Sequence, residues 1–274
     1  SMKVSAIAME SIPGDLPANL NTLESHLSEA ARTDTELCVF PELNLSGAFA
    51  SIDDVDAFLK HNPDPTFTCR HLSEKYHLSF TAGWPVAENG RFYLVQFLFE
   101  RGRLAGSHKK THLTGKEARI FKPGNQMNVF PCNDTIIGMQ LCLESHFPEI
   151  STIQARKGAQ ILAIGFASPR ESGTKKMERF LRFLPARAYD NNCFVVAANQ
   201  SGPTPWGKPF AGISLICSPK GEVLEQSTKR GHEVTSELDL NQIEKIKQSD
   251  MGWFNGMKRE LILPGKGNSP DGRD

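Results

Sequence analysis

The sequence predicts an α/β fold built in four layers, an α-β-β-α sandwich. The first observation behind this prediction is a repeated alternation of short apolar runs with amphipathic stretches, which is typical of β-α-β units. The second is the number of strand-like runs, because many strands create apolar sheet faces that helices must cover. The third is a length of 274 residues without an internal linker or repeat. We therefore expect a single domain over residues 2–262, followed by a tail over residues 263–274.

The first forty residues predict a strand, a helix and a second strand. Lys3–Met9 alternates as a strand should, and Asp15 is a candidate N-cap for the helix that follows. Apolar residues then recur at helical spacing at Leu16, Leu20, Leu23, Leu27 and Ala30. Leu37–Phe40 is fully apolar, as expected of a short buried strand.

A meander of three strands is predicted next, after a helix over Phe67–His77. The strands cover Leu78–Val86, Arg91–Glu100 and Arg103–Lys110, and Asn89-Gly90 is a favoured turn between the first two.

The second half of the chain returns to alternating strands and helices. We predict strands over Thr135–Cys142, Gln160–Phe166, Cys193–Ala198, Gly212–Cys217, Glu222–Gln226 and Val234–Leu238. Helices are predicted over Phe147–Lys157, Lys175–Asn191 and Leu240–Ser249. The last residues, Pro264–Asp274, are rich in Gly, Pro and charge, so we expect a mobile end or an arm that orders on a partner subunit.

Composition and charge exclude several classes of function. Lys plus Arg and Asp plus Glu are balanced at 31 each, so no overall field attracts nucleic acid or an anionic membrane. No apolar run approaches the roughly 20 residues of a transmembrane helix, and the start has no pattern typical of a signal peptide. We expect a cytoplasmic protein that binds a small molecule.

Six cysteines without a secretion signal indicate free thiols rather than a disulfide framework. Cys38, Cys193 and Cys217 lie in apolar runs, where cysteine behaves as a small buried hydrophobe. No Cys or His cluster has zinc spacing, so no metal is expected.

Three ionisable residues stand where predicted strands end: Glu42, Lys110 and Cys142. Ligands of α/β proteins bind at such ends, although a polar residue there is more often a solvated boundary. Cys142 has the strongest local case, because a helix is predicted shortly after it and a helix N-terminus favours a thiolate. The alternative, a buried strand cysteine, stays open.

Seven collinear segments carry a resemblance to a known family. They are GDLPANL at 14–20, FPELNLSG at 40–47, KTHL at 110–113, FKPG at 121–124, GMQLCLESHFPE at 138–149, PARAYDNNCFVVAANQSG at 185–202 and GISLICSPKGEVL at 212–224. In these segments the chain resembles the nitrilase, or carbon–nitrogen hydrolase, superfamily. The resemblance implies an α-β-β-α sandwich of the nitrilase type that forms a homodimer or a higher homo-oligomer by packing helices, and it implies no cofactor.

The resemblance also implies a role for each catalytic residue. Cys142 would be the nucleophile, Glu42 the general base and Lys110 the cation that stabilises the oxyanion. The backbone N–H of Leu143 would be a second oxyanion donor. Glu117 matches a second glutamate of the family and would position the substrate or the lysine, although a merely exposed glutamate remains an alternative.

Specificity is less well defined by the sequence. His146 and Ala167 are candidates for lining the pocket, and His146 stands where some branches that hydrolyse ω-amides have an arginine. Lysines and arginines at 156, 157, 175, 176 and 179 are expected on solvated helix faces. A small amide or N-carbamoyl substrate is favoured over a nitrile, since true nitrilases usually have tryptophan where this chain has Leu143. A catalytically silent binding protein and an acyltransferase acting through the same thioester are the rival functions.

Overall fold

Twelve strands form two six-stranded mixed sheets in the computed structural model, which describes residues 1–169, 171–250 and 252. The strands are β1 (Met2–Ile7), β2 (Leu37–Val39), β3 (Ser79–Glu88), β4 (Arg91–Glu100), β5 (Arg103–Lys109), β6 (Val129–Cys132), β7 (Thr135–Leu141), β8 (Ile161–Phe166), β9 (Phe194–Asn199), β10 (Ile213–Cys217), β11 (Val223–Ser227) and β12 (Glu233–Leu238). The first sheet has the order β12-β1-β2-β3-β4-β5, and the second has the order β11-β10-β9-β8-β7-β6.

Helices cover the outer face of each sheet. They are α1 (Leu16–Arg32), α2 (Ile52–His61), α3 (Thr66–Lys75), α4 (Pro148–Arg156), α5 (Gly173–Phe180), α6 (Leu184–Asn191) and α7 (Asn241–Gln248). The first three helices lie on the first sheet, and α4, α5 and α6 lie on the second.

Side-chain alternation along the strands explains the layers. In β8, Ile161 and Ala163 join the cluster between the sheets, whereas Leu162 and Ile164 join the cluster beneath the helices. Successive residues of a strand point to opposite faces, so one apolar strand serves two cores. The predicted four-layer α/β architecture is confirmed.

Most predicted elements are confirmed within one or two residues, with three differences. The single helix expected over Lys175–Asn191 is two helices, because Pro185 lacks a backbone N–H and disfavours helical geometry in the residue before it. Helix α2 was not predicted, although Ser51 and Asp54 form a capping box at its start. Strand β6 was also missed, and the tail over Pro264–Asp274 lies outside the described residues.

Strand direction brings several strand ends to one edge of the sandwich. Strands β2 and β3 are parallel, and β5 runs the same way because β3-β4 and β4-β5 are both antiparallel. In the second sheet β7, β8 and β9 are parallel. The candidate catalytic residues Glu42, Lys110 and Cys142 follow the ends of β2, β5 and β7, and we name this side of the sandwich the catalytic edge after these candidates.

Within residues 1–169, 171–250 and 252, the structure contains no helix that is both long and apolar enough to cross a membrane.

Candidate active site

A buried lysine joins two carboxylates at the catalytic edge. The Lys110 Nζ donates to Glu42 Oε1 at 2.7 Å and to Glu117 Oε1 at 2.7 Å. Both Lys110 and Glu42 are almost fully buried, whereas the Glu117 side chain keeps 23% of its exposure. One connected cluster therefore joins Lys110 and Glu42, expected as the cation and the base, to Glu117, expected to position the substrate or the lysine.

Glu117 is fixed by local backbone as well as by the lysine. It begins a short 3₁₀ turn over Glu117–Arg119, and its Oε2 accepts from the Thr114 N–H at 2.8 Å. This carboxylate is therefore held at the rim of the cluster rather than free on the surface.

Cys142 lies on a sharp turn between β7 and a 3₁₀ helix over Cys142–His146. Its φ of 39° is in the left-handed region, which costs about 1–3 kcal/mol for a residue with a side chain. The Ser145 hydroxyl donates to the Cys142 carbonyl at 2.7 Å and helps to hold the turn. This geometry leaves Cys142 partly exposed, whereas the other five cysteines are buried.

The thiol is protonated in the resting site. Removal from water raises the pKa of the Cys142 thiol to about 12; Lys110 opposes this shift, while Glu42 and Glu117 add to it. A helix N-terminus favours a thiolate, but here desolvation and two nearby carboxylates disfavour a second negative charge. A base is needed to remove the thiol proton.

Glu42 has the pKa that such a base requires. Burial raises the pKa of Glu42 to about 7, with the charges of Glu117 and Glu144 adding to the rise and Lys110 opposing it. For Lys110 burial lowers the pKa, but the charges of Glu42, Cys142 and Glu117 outweigh burial and raise it, so the ammonium keeps its charge. The site thus combines a carboxylate that titrates near neutral pH with a permanent cation.

The three candidate pocket residues lie at different places around Cys142. Leu143 helps to line a cavity of about 490 Å³ together with Thr111, His112, Leu113, Ala118, Phe121, Lys122, Pro123 and Phe147. Ala167 is partly buried just beyond the end of β8. His146 is exposed, and its ring packs on Phe183 with the centroids 4.4 Å apart.

The strand that precedes Ala167 approaches the backbone of Glu42 closely. A Cβ on Gly165 would lie 2.7 Å from the Glu42 N atom, so only glycine allows β8 to pack there. Gln200, which follows β9, donates through Nε2 to the carbonyl oxygens of Glu42 at 2.7 Å and Leu43 at 3.2 Å. The second sheet therefore helps to hold Glu42.

Sequence reasoning missed several polar residues of this edge. Glu144 and His108 form a buried hydrogen-bonded pair at 2.8 Å, and Gln200 is buried as well. Lys176, expected on a solvated face, is fully buried and donates to the Ser168 hydroxyl at 2.9 Å and the Pro169 carbonyl at 2.8 Å. Glu144 stands two residues after Cys142, a spacing that could have indicated it, whereas a buried lysine on a polar helix gave no sequence signal.

Comparison with known proteins identifies the family of the chain. The carbon-nitrogen hydrolase family model matches residues 3–248. An (R)-stereoselective amidase from a Pseudomonas species is 27% identical over 273 residues, 99% of this chain and 97% of that protein. The 2-oxoglutaramate amidase of Bacillus subtilis is 24% identical and covers 94% and 98% of the two chains. A nitrilase of Pyrococcus abyssi is 27% identical and covers 88% and 91%.

Solved structures of an amidase from Nesterenkonia sp. AN1 have the same fold. The enzyme after tag removal superposes with a TM-score of 0.79 at 22% identity, covering 96% of this chain and 98% of that chain. A cysteine-to-alanine mutant, described as belonging to the nitrilase superfamily, gives a TM-score of 0.80 at 22% identity over 95% of each chain. A glutamate-to-glutamine mutant of that amidase carries the acetamide moiety of fluoroacetamide covalently at its active-site cysteine.

The layered fold and the extent of these matches define a nitrilase-superfamily protein. The chain belongs to the carbon-nitrogen hydrolase family.

Proposed function

We propose that this protein hydrolyses a small amide or N-carbamoyl compound through a thioester on Cys142. The observation that carries the proposal is the buried Lys110 ammonium, which lies between Glu42 and Glu117 and interacts electrostatically with the Cys142 thiol. An amide is a weak electrophile with a poor leaving group, so its cleavage needs an activated thiol, a proton donor for nitrogen and fixed positive charge. The cluster supplies all three.

Acylation begins with transfer of the thiol proton to Glu42. The sulfur attacks the substrate carbonyl carbon, and the negative oxygen of the tetrahedral intermediate is stabilised by Lys110 and by the Leu143 N–H. Glu42 then returns its proton to the leaving nitrogen as the carbon–nitrogen bond breaks. Ammonia or an amine leaves, and the acyl group stays on sulfur.

Deacylation repeats the proton transfers with water. Glu42 takes a proton from the water that attacks the thioester, and the carbon–sulfur bond breaks as the proton passes to the thiolate. A carboxyl with a pKa of about 7 can accept and release a proton at each step. Glu117, which accepts from the lysine and stays at the rim, is proposed to position Lys110 and the substrate amide.

The substrate class is proposed from the residue after Cys142 and from the names of the relatives. Leu143 lines a cavity beside Thr111 and Phe147, and we propose that this cavity admits the substrate. Two relatives are named as amidases, which supports an amide substrate, whereas others are named as nitrilases. Nitrile hydrolysis by the same residues is the second candidate, supported by the relatives named as nitrilases and opposed by leucine, rather than tryptophan, after the cysteine.

Ammonia release tests the proposed function directly. The purified protein is screened against matched amides, N-carbamoyl compounds and nitriles, with Cys142→Ala as the control. We expect release from amides or carbamoyl compounds by the wild type and none by the variant. A wild type that binds such compounds but releases no ammonia would indicate a silent binding protein, and acyl transfer to an added amine in preference to water would indicate an acyltransferase.

We further propose that two copies pair through helices α4 and α6. Apolar side chains remain exposed on and beside these neighbouring helices, with Ile153 and Tyr189 each 44% exposed and Phe147 39% exposed. A glutamate at Ile153 places a charge on this surface without disturbing the buried side of the helix. Light scattering at micromolar protein should give a dimer for the wild type and a shift toward monomer for Ile153→Glu, whereas a monomeric wild type would contradict the proposal.

A cytoplasmic location is proposed on the state of the cysteines. All six are free thiols, a usage typical of reducing compartments.

A further inference from the structure

The proposed catalytic groups come from both sheets of the sandwich. Glu42 and Lys110 follow strands of the first sheet, whereas Cys142 follows β7 of the second. The contact between the sheets is apolar, with residues such as Val39, Met139 and Ala163 packed between them. Apolar packing is not directional, so it does not by itself fix a nucleophile against a lysine from the other sheet.

A single buried carboxylate bridges the two sheets at the catalytic edge. From the first sheet's side, Thr111 donates its backbone N–H to Glu144 Oε1 at 2.6 Å and its hydroxyl at 2.7 Å. From the second sheet, Leu141 donates its backbone N–H to Glu144 Oε2 at 2.7 Å. Thr111 directly follows Lys110 and Leu141 directly precedes Cys142, so Glu144 is bonded to the neighbours of both residues.

His108 completes the set of donors around this carboxylate. Its Nε2 lies 2.8 Å from Glu144 Oε2 and 3.0 Å from Oε1, and the two side chains are 2% and 0% exposed. Every partner that reaches Glu144 can donate, so the group acts as an ionised acceptor and the His108 Nε2 carries a hydrogen. His108 lies two residues before Lys110 on β5, so the pair adds a third bond to the segment that carries the lysine.

We propose that Glu144, held by His108, is the positioning residue that fixes the Lys110 segment against the Cys142 turn across the two sheets. Neither residue needs to touch the substrate. Loss of the bridge should leave the catalytic groups present but misaligned, and misplacement by about 1 Å can reduce turnover about 100-fold. The inference rests on the proposed hydrolysis by Cys142, but it can also be tested by alkylation of the thiol, which needs no substrate.

Two variants of His108 test the bridge. His108→Phe removes the donor and keeps a planar ring, whereas His108→Gln keeps an N–H donor that can reach the same place. We expect His108→Phe to lower kcat about 10–100-fold with KM changed less than about threefold, and His108→Gln to recover most of kcat. The rate of Cys142 alkylation by iodoacetamide at pH 7 should fall in His108→Phe and recover in His108→Gln. Rates are expressed per folded molecule, with the folded fraction taken from circular dichroism.

A matched pair of threonine variants covers the case in which His108→Phe does not fold. Thr111→Val removes one donor to Glu144, and Thr135→Val removes a donor to Gln160, 2.9 Å away at the opposite end of β7. Both changes replace a hydroxyl with a methyl group. We expect slower turnover and alkylation in Thr111→Val, and wild-type values for both in Thr135→Val.

The possible outcomes separate this inference from the proposed function. If the wild type hydrolyses no amide, carbamoyl compound or nitrile, the proposed function fails, and alkylation still decides whether the bridge positions the thiol. The positioning role is overturned if folded His108→Phe and Thr111→Val keep wild-type alkylation and turnover. It is also overturned if His108→Gln and His108→Phe are equally impaired, because the donor would then not matter.

Discussion

Two buried glutamates of the catalytic edge differ in the hydrogen bonds that they receive. In the described part of the chain, the Glu42 carboxylate accepts a hydrogen bond from Lys110 alone, whereas the Glu144 carboxylate accepts from Leu141, Thr111 and His108. Burial acts to raise the pKa of both groups. For Glu42 burial prevails and the pKa rises to about 7, but for Glu144 His108 and the hydrogen bonds from Thr111 outweigh burial and the pKa is lowered.

The difference shows how one residue type can take two roles at the same edge of the sandwich. A carboxylate with few donors near other negative charges can gain and lose a proton at neutral pH, which suits a base. A carboxylate surrounded by donors stays ionised and holds the segments that bond to it. The predictions that follow test this division between a group that moves protons and a group that holds structure.

The largest expected effect is on amide hydrolysis in Glu42→Gln. Gln cannot take up the thiol proton or return it to nitrogen, and loss of general acid–base help costs about 10²–10⁴-fold. An activated ester, whose leaving group needs no proton, should lose less in acylation. The comparison is measured as burst rates on a matched amide and ester.

Glu117→Gln is the control for that experiment. It keeps the shape and one acceptor for Lys110, so amide and ester should slow by comparable factors through poorer positioning. If Glu117→Gln, and not Glu42→Gln, slows the amide more than the ester, then Glu117 is the general base and Glu42 is the positioning residue.

Glu144→Gln should lower stability more than any change at the base. Glu144 accepts from Leu141, Thr111 and His108, and each buried donor left without a partner costs about 1–3 kcal/mol; the Gln side chain would also point its own N–H groups toward these donors. Because the folded pKa of Glu144 lies below its ordinary value of 4.5, its ionised form stabilises the fold above that pH and less below it. Urea unfolding should therefore show a large difference between variant and wild type at pH 7 that narrows as the pH falls below 4.5. A difference independent of pH would contradict the ionised holding role.

The dependence of kcat/KM on pH should follow the ionisation of Glu42 and should shift when the charge of Glu117 is removed. We expect kcat/KM to rise with pH through about 7, because Glu42 must lose its proton to act as base. The charge of Glu117 helps to raise the pKa of Glu42, so Glu117→Gln should move this limb to lower pH. If the rise of kcat/KM occurs at the same pH in Glu117→Gln and in the wild type, a group other than Glu42 is responsible for it.

The smallest expected effect is a difference in the order in which iodoacetamide labels the six cysteines. Iodoacetamide should modify Cys142 before the other five cysteines, because they are buried and it is partly exposed. Peptide mapping after partial alkylation measures the order. Prior labelling of Cys69 or Cys132 would contradict the predicted order, and activity retained after complete labelling of Cys142 would exclude it as nucleophile.

The sequence predicted the layers and the catalytic strand ends for physical reasons. Buried parallel strands appear in the sequence as apolar runs, so the ionisable residues that end such runs, Glu42 and Cys142, can be recognised as candidates for a site. The break before Pro185 could have been inferred from the proline, and helix α2 from its Ser51 cap. The division between Glu42 and Glu144 could not, because it depends on donors contributed by segments distant in sequence.

The raised pKa of the Cys142 thiol could also not be predicted from the sequence. A cysteine before a helix suggests a thiolate, but the outcome depends on how completely folding removes the sulfur from water and brings Glu42 and Glu117 to it. Those quantities are set by both sheets together.

Trapping the acyl enzyme tests the central claim most directly. The wild type is mixed with an amide that it hydrolyses, quenched in acid within milliseconds and analysed by intact mass and peptide mapping. The account predicts a transient mass increase equal to the acyl group, located on Cys142 and absent from Cys142→Ala. Turnover without any adduct on Cys142, or an adduct on a different residue, would contradict hydrolysis through a Cys142 thioester.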